Sequence, residues 1–279
     1  IDAGSAVNRK YKSSLTSKKR SSTEDNISKK NRPGGKNLMG RLDGKVAVVT
    51  AAGGYIAGAT ARLWGHEGAS VVCLDIAEEN VKKTAQDIND GGGKAIAIVC
   101  DVTNEDSVAA ACAKAKESYG PITCLMNAAA GQDKKARVHE TNIADYRRVL
   151  DINLTGMVIV AKHCLIQMLE AGIGSIVNIS SIYGMVSPKE RAVYATSKGG
   201  IRMLTKNIAI DYAADNIRCN SIMPGPIQTP RLLVRNPSLE AVLERHGPRL
   251  HIGRLGQPEE IASAALFLAS DEASYVSGT

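Results

Sequence analysis

Six short apolar runs, each followed by a longer stretch of helical periodicity, restrict this chain to a narrow set of folds. The runs cover 45–50 (KVAVVT), 70–75, 95–101, 122–127, 175–180 and 217–223. Their apolar residues are consecutive rather than alternating, which predicts strands buried on both faces. Between and after them the spacing predicts helices over 56–67, 78–90, 104–119, 144–171, 192–213 and 258–270. Repeated βα units of this kind build an α/β domain with a doubly wound parallel sheet. Right-handed crossovers then place ligands beyond the strand C-termini, at the point where the strand order reverses. Thr50, Asp75, Asp101, Asn127, Ser181 and Met223 fall at those ends.

With 279 residues, 44% of them hydrophobic, the chain can bury one large core, and with only 4% aromatics that core must be aliphatic. The longest apolar stretch, 158–169, is interrupted by Lys162, His163 and Gln167 and falls short of the roughly 20 residues that span a bilayer, so no membrane partner is expected. The six cysteines form no CxxC pair, and Cys73, Cys100, Cys124 and Cys219 sit in strand-like runs. They read as buried free thiols of a reducing, cytoplasmic compartment. The histidines are scattered, and His246 and His251 lie five apart with no Cys near them, so no metal site is expected.

The net charge of +7 is unevenly placed: residues 1–41 carry 11 Lys/Arg against 3 Asp/Glu, and the rest is close to neutral. Residues 1–40, rich in Ser, Lys and Asn, have too little apolar surface to order themselves and read as a basic N-terminal arm. A solvated tail, a mitochondrial or plastid transit segment and a polyanion contact through Lys18-Lys19-Arg20 all fit that composition. No aromatic stacking platform accompanies the charge, so nucleic acid is not an expected partner.

The segment 176–198 (IVNISSIYGMVSPKERAVYATSK) carries the chemistry. It begins as a buried strand, opens at Ser180-Ser181, and re-enters order as a helix bearing Tyr194 and Lys198. Four residues apart, these two project from one helix face. A neighbouring ammonium favours the phenolate form of a tyrosine, and a serine hydroxyl at the strand end can meet that phenol across a substrate oxygen. Ser181 thirteen residues before a Tyr-x-x-x-Lys, after a strand, is far more specific than Tyr-x-x-x-Lys alone. In this feature the chain resembles the short-chain dehydrogenase/reductase family, over residues 41–279. The resemblance implies a single Rossmann-type, dinucleotide-binding domain, here without the family's last C-terminal strand.

By the same resemblance the catalytic residues are Asn153, Ser181, Tyr194 and Lys198. Ser181 bonds the substrate oxygen, and Tyr194 exchanges its proton. Lys198 lowers the tyrosine pKa and binds the nicotinamide ribose, and Asn153 bends its helix and holds a relay water. The first strand–helix turn is where backbone N–H groups meet a pyrophosphate. Thr50, Ala52, Gly53, Tyr55 and Ile56 occupy it, but the family's three glycine positions hold Ala51, Tyr55 and Ala57. An alanine there is tolerated where φ is negative. Tyr55 stands where the family's backbone comes closest to phosphate, and its ring either closes that seat or swings outward. Asp75, at the end of the second strand, suits ribose hydroxyls and repels a 2′-phosphate, which favours NAD over NADP; as an N-cap for the next helix it has a purely structural reading. Asp101 and Val102 resemble the family's adenine-contacting pair, Asn127, Ala128 and Ala129 partly match the family's Asn-Asn-Ala-Gly segment beside the cofactor, and Pro224, Gly225, Ile227 and Thr229 match the loop that closes over it.

The substrate side is assigned to Ser181, Ile182, Tyr183, Met185, Tyr194, Pro226, Ile227, Leu232 and Leu233, a lining suited to an apolar, cyclic small molecule. The expected activity is hydride transfer between NAD(H) and a secondary alcohol or ketone, in a homodimer or homotetramer. A non-reducing family member that binds a ligand or partner is the alternative raised by the altered glycine turn.

Overall fold

A strand sends successive side chains to opposite faces, so a strand apolar at every position must be covered on both sides. The computed structural model, which describes residues 40–233, 238–247 and 250–279, has that arrangement. Six parallel strands lie in the order β3-β2-β1-β4-β5-β6. They are β1 Val46–Thr50, β2 Ser70–Asp75, β3 Lys94–Val99, β4 Cys124–Asn127, β5 Gly174–Ile179 and β6 Ile217–Ile222. In register, Val48 of β1 sits between Val72 of β2 and Leu125 of β4. The basic arm and the side chains of Leu233 and His246 lie outside the described residues.

Val46, Val48, Val72, Leu74, Leu125 and Ile176 point to one face, where α3 (Glu105–Tyr119), α5 (Gly156–Ala171) and α6 (Ala192–Asp211) cover them. Ala47, Val49, Val71, Cys73, Met126 and Val177 point to the other, under α1 (Tyr55–His66), α2 (Glu78–Asp90) and α9 (Pro258–Ala269). Each fully buried Val, Leu or Ile contributes about 1.5–3 kcal/mol. The chain leaves β1 towards α1 on one face and β4 towards α5 on the other. The crevice at the ends of β1 and β4 is therefore the switch point of a doubly wound sheet.

Two stretches differ from the sequence expectation. The helix expected over 144–171 is α4 (Ile143–Leu150), a π-helical turn (Asp151–Thr155) and α5 in succession. Taken end to end, 143–171 is long and apolar enough to cross a membrane by length and composition, which the sequence reading did not find. Here it packs on the sheet, and the residues that interrupt it are occupied. Gln167 accepts from Ile122 N–H and donates to Cys112 O, while Lys162 and His163 meet Glu105. Two short helices, α7 (Pro230–Leu233) and α8 (Leu239–His246), lie between β6 and α9, where no helix was expected; Ser238 caps α8 by accepting from Ala241 N–H. The last residues form no strand, but they run along the edge of β6. Gly278 N–H donates to Cys219 O, and Ser221 N–H donates to Thr279 O.

Candidate active site

Ser181 leaves β5 in an extended conformation, and its Oγ accepts from Tyr183 N–H at 3.2 Å, capping the 3-10 turn Ile182–Gly184. Its neighbour Ser180 donates to Lys198 O at 2.8 Å, tying the strand end to α6. Gly184 makes that approach possible: a Cβ there would lie 2.7 Å from Lys198 O. The turn and α6 are thereby pressed together, which puts Ser181, Tyr194 and Lys198 on one cleft of about 590 Å³.

Lys198 is 2% exposed. A buried ammonium is costly without polar partners, and its Nζ donates to Ile179 O at 2.8 Å while lying 5.7 Å from the Tyr194 ring centre. Tyr183 meets the Tyr194 ring edge-on at 6.4 Å. Asn153 lies in the π turn and does not line the cleft. Its Oδ1 accepts from Gly131 N–H at 2.6 Å, and its Nδ2 donates to Ser197 Oγ, which donates to Tyr194 O. Single π turns inside α-helices often mark functional positions, and this one spends the Asn153 side chain on linking the loop after β4 to the helix of Tyr194.

At its other end the cleft reaches the β1–α1 turn and Asp75. No side chain caps α1, so the first-turn N–H groups of Tyr55, Ile56 and Ala57 have no intrahelical acceptor and form an anion-attracting end. Gly53 cannot be larger, because a Cβ would lie 2.7 Å from Asn80 Cβ and 3.0 Å from Asp75 Oδ2. Asp75 accepts from Gly53 N–H through Oδ2 and from Ala77 N–H through Oδ1, each at 2.9 Å. Each oxygen keeps a lone pair for a hydroxyl. Tyr55 is 53% exposed and is one of the residues that line this end of the cleft. An uncapped helix end, a narrow glycine and a carboxylate in a row fit the pyrophosphate and ribose of a dinucleotide. One expectation fails: Ala51 has φ 55°, not the negative angle that would make an alanine harmless there.

The cleft is also lined by Ala128, Tyr183, Pro224, Gly225, Pro226, Ile227, Thr229 and Leu232, residues expected on the cofactor or substrate side. The loop 224–229 is held by Ile182 N–H donating to Pro224 O and by a bridge between Ile227 and Gly256. Other predicted residues stand behind the wall. Thr50 is fully buried and its Oγ1 accepts from Ala128 and Ala129 N–H. Asn127 donates to Met157 O, and Ala52 accepts from Thr84 Oγ1. Val102 packs where α5 begins, Asp101 accepts from Thr103, and Ala129 is buried. Met185 points to solvent instead of the cleft. None of these residues lines the cleft.

Sequence reasoning missed Asn80, Gln132 and Arg191, which line the cleft, and Asp133 behind it. Arg191 was legible in principle, three residues before Tyr194 and so on its helix face. Asp133 is 61 residues from Tyr194 and nothing local marks it.

The family described as Enoyl-(Acyl carrier protein) reductase matches residues 51–279. Cis-4-hydroxycyclohexanecarboxylate dehydrogenase of Sinomonas cyclohexanicum is 42% identical over 84% of this chain and 92% of its own length. Cyclohexanol dehydrogenase of Acinetobacter sp. is 37% identical over 88% of this chain and 95% of its own. The structure of NAD+-bound xylitol dehydrogenase superposes with a TM-score of 0.80 at 33% identity, covering 85% of this chain and 96% of that one.

Proposed function

The chain belongs to the short-chain dehydrogenase/reductase family of oxidoreductases, and from that premise we propose that it interconverts an alicyclic secondary alcohol and its ketone with NAD(H). The observation that carries the reading is Ser181, Tyr194 and Lys198 on one cleft that continues to Asp75. In the oxidation direction Ser181 Oγ donates to the substrate oxygen and Tyr194, as phenolate, takes the hydroxyl proton. The buried Lys198 ammonium favours that phenolate. Asn153 holds the loop after β4 and the first turn of α6 in register. A bound nicotinamide supplies the hydride acceptor or donor; the protein orients it. Asp75 supports NAD over NADP, because its carboxylate repels a 2′-phosphate.

Support for an alicyclic substrate comes from the apolar wall of Ile182, Pro226, Ile227 and Leu232 and from the ring alcohols in the relatives' names. Exposed Val158, Ile166 and Leu169 on α5, with Met203 and Ile210 on α6, support a homo-oligomer.

The test is a screen of cycloalkanols with NAD and with NADP, run beside Tyr194→Phe. Turnover with NAD is expected, and the variant should retain NADH binding while losing about 10²–10⁴-fold in kcat/KM. Equal turnover in the variant removes Tyr194 from the chemistry. Ala51 and Tyr55 in the glycine turn favour a second reading, a ligand-binding protein without hydride transfer. Failure of both NADH and NADPH to bind in a fluorescence titration would shift the reading to it.

A further inference from the structure

We propose that Asp133 and Arg191 form a positioning pair that clamps Tyr194 and gives its phenol a second positive neighbour. The proposal rests on reading Tyr194 as the proton-exchanging group. Arg191 is the residue that opens α6, and its side chain does not cap that helix. The cap comes from elsewhere: Asp133, in the loop after β4, accepts from Tyr194 N–H through Oδ2 at 3.2 Å. Its other oxygen, Oδ1, lies 2.8 Å from Arg191 Nη1. That contact is an ion pair without an aligned hydrogen bond. Both side chains are withdrawn from solvent, Asp133 fully and Arg191 all but 15%. The guanidinium carbon stands 5.3 Å from the Tyr194 ring centre, against 5.7 Å for Lys198 Nζ.

Capping alone does not require this arrangement. Ser, Thr, Asn or Asp at position 191 would satisfy the helix end locally, and burying a carboxylate with a guanidinium is a costly substitute. What the buried pair adds is a cation beside the phenol ring, a favourable contact that strengthens as the phenol becomes phenolate. Among the described residues, the charged and titratable groups set against Tyr194 include Lys198 from α6, Arg191 from its start, Asp133 from the loop after β4 and Tyr183 from the turn after β5. Asp75 lies at the far end of the cleft. Of Lys198, Arg191, Asp133 and Tyr183, two are cations and one is a carboxylate, a balance that favours the phenolate. Asp133 also fixes where both partners sit: one oxygen holds the tyrosine backbone and the other holds the guanidinium.

The experiment is a pH titration of Tyr194, read two ways. Tyrosinate absorbance is taken as the difference between each protein and its Tyr194→Phe counterpart, and kcat/KM for alcohol oxidation is followed across the same range. Arg191→Gln should move both midpoints up by about one pH unit, the size expected of one cation at this distance and partial solvation. Arg191→Lys should restore most of the shift. Asp133→Asn, which keeps an acceptor for Tyr194 N–H but removes the negative charge, should move the midpoint down. A purely structural pair would lower kcat/KM equally at every pH and leave the tyrosinate midpoint unmoved in all three variants, which overturns the proposal. Should Arg191→Gln fail to fold, an unmoved midpoint in Asp133→Asn overturns it alone. Absence of turnover in the parent protein would sink the oxidoreductase reading, while the absorbance titration would still decide the pair.

Discussion

Ala51 turns the chain at φ 55°, in the left-handed region that an L side chain enters at a cost of about 1–2 kcal/mol. The turn has little choice. Ala52 N–H must reach Leu74 O to continue β1's pairing with β2, and Gly54 N–H must return to Ala51 O to open α1. Glycine would adopt the angle freely but would also loosen the unfolded chain. Ala51→Gly is therefore expected to raise unfolding stability by about 1 kcal/mol net. Urea unfolding at neutral pH checks this, and a loss of stability would show that the methyl group makes a contact worth more than the strain. The same residue marks how far sequence can be read here. Tyr194 and Lys198 were legible because a helix fixes the relation of residues four apart. The sign of φ at residue 51 and the reach of Asp133 to Tyr194 depend on tertiary pairing, and neither leaves a local trace.

Helix α9 shows how a single element is anchored by charge. Pro258 occupies its first turn, and Glu260 reaches back so that Oε2 accepts from Gln257 N–H at 2.7 Å. Arg254 then grips both Glu260 oxygens, each at 2.7 Å. The Arg254 fork, and after it the Gln257 N–H, pull the Glu260 carboxyl from its ordinary 4.5 down to about 2. A depressed carboxylate binds fewer protons folded than unfolded, so its contribution is present above about pH 4.5 and is lost as pH falls towards about 2. Glu260→Gln should accordingly be less stable than the parent at neutral pH, with the gap closing across that acid window. A gap that stays constant with pH would mean the loss is packing and not charge. Elements of this kind differ in legibility. The inner strands and their covering helices were readable because burial on both faces leaves apolar runs in β1, β2 and β4. The π turn as such was not, since 144–171 keeps helical periodicity through it and a bend at Asn153 was expected only from the family resemblance. Nor were α7 and α8, which are short and framed by Pro and Gly.

Across the whole molecule, every cysteine is buried, and the thiols sample both faces of the sheet. Cys73 on β2 and Cys124 on β4 lie under α1, α2 and α9, and Cys219 on β6 lies on the opposite side. Burial pushes Cys73 and Cys219 from an ordinary 9.0 up to about 12, and Cys124 up to about 11. The folded protein holds these protons where the unfolded chain has released them. Stability from this source is complete below about pH 9 and falls as pH rises towards those values. Each thiol then removes about 1.4 kcal/mol per pH unit, so the three together make the fold steeply sensitive to alkali. Lysines and tyrosines titrate in the same range, so the comparison must cancel them. Cys73→Ala will be less stable at pH of about 8 through lost packing. Its stability should nevertheless decline more slowly than the parent's from there to about pH 11, by about the slope of one thiol. Urea midpoints at several pH values give both slopes. Parallel lines would mean that alkali reaches Cys73 before the sheet opens, so that a core buried on both sides is no barrier to a proton.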